Sequence, residues 1–67
     1  MNSHLIAHAR ALLESDPDMI ADARAGARVG NTIVGGVMSL TTGSPRWATE
    51  NAVAEALASL DTEDDPR

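Results

Sequence analysis

Three features of this sequence predict an all-α domain of four short helices. Apolar residues recur at helical spacing in two well-separated stretches, Leu5 to Leu13 and Val53 to Leu60. Segments rich in turn residues divide the chain at Ser15-Asp16-Pro17-Asp18, around Gly26 to Asn31, and from Leu40 to Pro45. Only Thr32 to Leu40, TIVGGVMSL, has the composition of a strand, and no second segment offers it a partner.

The first helix is expected over His4 to Glu14, with Ser3 as its N-cap. Leu5, Ile6, Ala9, Leu12 and Leu13 form one apolar stripe. Asp16 can cap the second helix, Pro17 suits its first position, and Asp18 favours the positive helix start. That helix should run from Pro17 to about Ala27, with Asp22 facing solvent. Gly26 and Gly30 both offer places to turn. Gly30-Asn31-Thr32 opens the third helix, with Asn31 or Thr32 as cap. Gly35 and Gly36 weaken its middle, each by about 1 kcal/mol relative to alanine. They also permit close approach of a DNA backbone or another helix. A loop from Leu40 to Pro45 and an ordered link, Arg46-Trp47-Ala48, lead to Thr49 as cap of a last helix over Glu50 to Leu60. Residues 61–67, DTEDDPR, are charged, lack apolar side chains and read as a disordered acidic tail, so the folded domain is expected over 1–60.

With 67 residues there is room for one domain, and a chain of this size buries only roughly 60% of its unfolded surface. It has no cysteine, so no disulfide or thiolate metal site can reinforce it. Many of its apolar residues are alanine and its one aromatic is Trp47, expected to close the core over the first and last helices rather than to touch a ligand. So thin a core makes a homodimer the expected state. No apolar run could span a bilayer, and MNSHLIAHAR lacks the basic start and cleavage site of a signal peptide, so a cytoplasmic protein is expected.

The charge is unevenly placed. Of the net −5, residues 61–67 hold −3, while residues 1–60 set six acids against four arginines. Bulk attraction to nucleic acid is thus excluded, and DNA binding would rest on where Arg24, Arg28 and Arg46 sit. A positive strip of the three beside the third helix would favour DNA; a negative face would favour a protein partner. Catalysis is not expected. There is no cysteine or lysine nucleophile, no phosphate-cradling loop and no close histidine–carboxylate pair. His4 and His8 share a helix face at a spacing that can bind a metal, but no third ligand accompanies them, so neither metal nor cofactor is expected.

Two short helices about a glycine-containing turn, Met19 to Leu40, make a helix-turn-helix candidate. Further residues carry a family resemblance: Leu12-Leu13-Glu14-Ser15-Asp16-Pro17, Ile20-Ala21, Asn31-Thr32-Ile33, Ser44-Pro45-Arg46-Trp47-Ala48-Thr49 and Val53-Ala54-Glu55-Ala56-Leu57. In this order, over residues 5–60, the chain resembles the Cro/repressor-type, lambda-repressor-like helix-turn-helix proteins of the short actinobacterial or actinophage kind. The register departs at the turn. With Ile33 as the buried residue early in the recognition helix, the small residue falls on Ala23. The turn glycine then falls on Ala27, one place after Gly26, and Arg28 takes a position that is usually apolar.

The resemblance implies a small sequence-specific transcriptional regulator, dimeric on double-stranded DNA. Asn31 and Thr32 would lead base contact, Val34 and Met38 would touch thymine methyls, and Gly35 would let the backbone approach. Arg28 and Arg46 would hold phosphates, with Thr42 among the helping hydroxyls. Asn31 and Thr32 read equally well as a plain helix cap. The competing function is an acidic protein-interaction module (adaptor, antirepressor or inhibitor) on the same scaffold. The acidic tail, the absence of lysine and the Gly35-Gly36 pair favour it. A third is a small assembly component that oligomerises through Ala/Val faces.

Overall fold

The computed structural model describes residues 3–63 and is all-helical, with no strand among the described residues. Four helices follow in order: α1 Ser3–Ser15, α2 Pro17–Gly26, α3 Ile33–Thr42 and α4 Arg46–Glu63. The expected disorder of residues 64–67 lies outside the described residues.

Local chemistry sets the boundaries. Asp16 has an extended backbone and its side chain accepts from the Asp18 N–H at 3.0 Å, so α2 begins with a capped turn and Pro17 where no N–H is needed. At the other end, the Gly26 carbonyl accepts from the N–H groups of Val29 and Asn31, and Gly30 takes the left-handed φ of 67° that reverses the chain. Six residues, 27–32, thus separate α2 from α3. This is longer than the three- or four-residue turn of a helix-turn-helix. Thr32 caps α3, and Gly43 ends it at φ 74° with its N–H on the Ser39 carbonyl. Gly43→Ala should therefore cost about 1 kcal/mol, because a Cβ is disfavoured at that φ; urea denaturation of the variant measures it.

The fourth helix corrects two expectations. It starts at Arg46, not Glu50, since the Pro45 carbonyl already accepts from the N–H groups of Ala48 and Thr49. Thr49 is consequently not a cap. It is buried inside the helix, and its hydroxyl donates to the Arg46 carbonyl at 2.9 Å. The helix also runs on through residues 61–63, so the acidic segment is helical where it is described.

The core joins Ala9 and Leu13 of α1, Ala23 of α2, Val34 and Met38 of α3, and Ala52, Val53, Ala56 and Leu57 of α4. Leu5, Ile6, Leu12, Met19, Ile20 and Leu60 pack around it. The α1 and α4 helices lie against each other most extensively. Four of the nine core residues are alanine, which lets the helices approach closely but buries little apolar area per residue. Trp47 contributes nothing to this core. It is 70% exposed, contrary to the expected lid.

Candidate functional site

The start of α3 is held by an internal polar network, built on Glu50. This carboxylate projects from the second turn of α4 and is only 11% exposed. It accepts from the Thr32 N–H at 2.9 Å and from the Thr32 hydroxyl, whose distance to Oε1 is 2.9 Å. It also accepts from Nε of Arg46 at 2.9 Å. The Thr32 hydroxyl oxygen in turn accepts from the Gly35 N–H at 2.9 Å. The Arg46 guanidinium completes the ring by donating to the Thr32 carbonyl at 2.7 Å and to Oδ1 of Asn31 at 3.0 Å. From α2, Asp22 accepts from the Ile33 N–H at 2.7 Å, so this carboxylate caps α3 and does not simply face solvent. Two acids therefore accept from the Thr32 and Ile33 amides at the positive end of α3.

Burial shifts the Glu50 pKa upward, but other effects outweigh it. The Thr32 backbone hydrogen bond, the side-chain hydrogen bonds from Arg46 and Thr32, and the Arg46 charge hold it below its ordinary value of 4.5.

The eight residues expected to meet DNA divide into two groups. Thr32 is 1% exposed, Val34 and Met38 are fully buried, and Gly35 is buried under Glu50. Thr32 thus spends its hydroxyl inside the protein, and Val34 and Met38 present no methyl or thioether to a groove. Arg28, Asn31, Thr42 and Arg46 are exposed. Of these, Arg46 is committed to Glu50, Thr32 and Asn31, and the Thr42 hydroxyl donates back to the Met38 carbonyl. The positive strip does not form as one surface of free cations, because Arg24 pairs with Asp61 at 2.8 Å and Arg46 with Glu50. Arg28 alone of the three has no ion pair among the described residues.

The outward side of α3 is instead apolar. Ile33, expected in the core, is 63% exposed, and Leu40 is 87% exposed. Half-buried Gly36 and Val37 lie between them at helical spacing. The helix, IVGGVMSLTT, contains no charged residue. Val29 in the preceding turn and Trp47 at the start of α4 are the other large exposed hydrophobic residues among the described residues. A cavity of about 160 Å³ beside Ile33 is lined also by Met19, Asp16, Asp18 and Asp22. No group of three potential metal ligands exists among the described residues, and no described helix is long and apolar enough to cross a membrane.

Sequence reasoning missed Glu50 and the α3 outer face. The Arg46/Glu50 spacing of four was a usable signal for the first once both lay on one helix. No family model matches the chain, and neither a curated protein nor a solved structure matches it.

Proposed function

We propose that this chain is a protein-interaction module that docks through the outer face of α3. One observation carries the reading. The helix points Ile33 and Leu40 outward with Val37 half-buried between them, while Thr32, Val34 and Met38 are turned inward, and exposed Asn31 gives its side-chain oxygen to Arg46. Exposed apolar stripes rimmed by polar residues are characteristic of protein contact surfaces. The net charge of −5 further disfavours a polyanionic ligand.

A second reading, the Cro/repressor-type DNA regulator, is favoured by Arg28, an exposed cation in the turn ahead of α3. It leaves the other expected phosphate contact, Arg46, to be released from its internal partners.

Photo-crosslinking from position 40, with exposed position 11 of α1 as control, separates the two. Protein adducts identified by mass are expected from position 40 and not from position 11. Retardation of duplex DNA in a low-salt gel, weakened by Arg28→Ala and without protein adducts at position 40, would overturn the proposal in favour of the regulator.

A further inference from the structure

Resting on that reading of the α3 face, we infer that its occupant is a basic, amphipathic peptide segment of a different protein, which seats an arginine or lysine side chain in the hollow beside Ile33. The outer side of α3 carries exposed Ile33 and Leu40 and no charge, so it selects no partner by itself. Its border does. Where α3 starts, Ile33 and Met19 give the hollow its apolar wall, and Asp16, Asp18 and Asp22 complete the lining. These carboxylates are not neutralised from within the chain. Asp16 accepts from the Asp18 N–H and Asp22 from the Ile33 N–H, but none of the three is in an ion pair among the described residues.

Arginine and lysine join an apolar methylene stem to a cationic head, and the hollow matches both parts. The stem lies on Met19 and Ile33, and the head reaches the carboxylates. A volume of about 160 Å³ suits one side chain; small-molecule sites run to roughly 300–1,000 Å³. The three acids do not converge as a metal-binding group, which suits an extended cation better than a bare divalent ion. An apolar residue of the same segment lies against Val37 and Leu40, one and two turns further along α3. A second copy answers this chemistry poorly. The chain has a net charge of −5 and no lysine, and Arg10, Arg24 and Arg46 are already paired with acids of their own chain. The same carboxylates repel the phosphates of a nucleic acid from the start of α3.

Selection of random dodecapeptides, displayed on phage, against the immobilised full chain tests this inference. Enriched peptides are expected to combine arginine or lysine with apolar residues. Asp18→Asn and Ile33→Ala should each weaken such a peptide about fivefold in fluorescence anisotropy, and added salt should weaken it as well. Both residues are exposed, so both variants should keep the wild-type circular dichroism spectrum. Glu55→Gln removes an exposed acid of α4 that does not line the hollow, and should leave the affinity unchanged. Enriched peptides that are neutral or acidic overturn the inference, as does the absence of any enriched peptide. Basic peptides weakened equally by Glu55→Gln overturn it too, because they report general attraction to an acidic chain. So does a concentration-dependent dimer of the chain that Ile33→Ala weakens, since a second copy then fills the hollow. In each of these cases, adducts of a different protein from position 40 leave the docking module standing and exclude only the basic occupant. Without such adducts, both fail.

Discussion

Replacing Glu50 by alanine is expected to lower the stability of the folded chain by about 3 kcal/mol, the loss incurred when a mostly buried charge-assisted network loses its acceptor. The Thr32 N–H and hydroxyl would lose their acceptor in a site that is 1% exposed, and the Arg46 cation its counter-charge. In a domain of this size each kcal/mol shifts the melting temperature by roughly 4–8 °C, so the variant should melt roughly 12 °C or more below the wild type. Thermal denaturation followed by circular dichroism measures it. A loss below 1 kcal/mol would show that the network contributes no more than an exposed ion pair.

The same carboxylate makes part of the stability depend on pH. Its folded pKa lies below the ordinary 4.5, so its contribution is fully present above the unfolded value. It is lost as the pH falls through the lower folded value. Glu50→Gln keeps an acceptor for Thr32 but has no proton to gain. The wild type should therefore exceed this variant in stability at neutral pH, and the gap should narrow as the solution is acidified below 4.5. Urea denaturation across that range checks the sign; a gap that widens on acidification would contradict it.

Much of the architecture could be read from punctuation and periodicity. Asp16-Pro17 marks the start of α2, and the stripes of α1 and the later part of α4 point inward as their spacing implies. The orientation of α3 was not readable in the same way, because this helix carries two apolar stripes. Val34 and Met38 form one, and Ile33, Val37 and Leu40 the other. Nothing in their spacing says which is buried; only the position of α4, with Glu50 reaching Thr32, decides it. Trp47 was misplaced for a related reason. With Arg46-Trp47-Ala48 taken as a link, an aromatic there reads as a core lid. Once α4 extends back to Arg46, Trp47 falls four residues before Asn51 and seven before Ala54, on the exposed side. The expected DNA contacts depended on the opposite orientation of α3, so Val34 and Met38 were lost from an outer surface together.

Gly35 and Gly36 look equivalent in the sequence, yet alanine should be costly at the first and not at the second. In an unobstructed helix interior, glycine to alanine is worth about 1 kcal/mol of stabilisation. At Gly36 a new Cβ would lie 3.3 Å from Nη1 of Arg46, whereas the hydrogen bonds to Glu50, Thr32 and Asn31 are made by Nε and Nη2, so a shift of a few tenths of an ångström keeps them. Gly36→Ala should therefore be neutral or modestly stabilising. At Gly35 the added carbon would overlap the Glu50 carboxylate and come within 2.7 Å of the Thr32 hydroxyl oxygen. These atoms cannot retreat independently, since Glu50 is held by Thr32 and Arg46, and the Thr32 hydroxyl caps the Gly35 N–H. Making room breaks the network, and Gly35→Ala should cost about 2 kcal/mol even after the helix-propensity gain. The two losses should also couple. In a Glu50→Ala background one obstacle is gone while Thr32 remains, so the Gly35→Ala penalty should shrink without vanishing, a non-additivity that a double-mutant cycle resolves. Equal effects at the two glycines, or strict additivity with Glu50→Ala, would mean that Glu50 does not close over the α3 backbone.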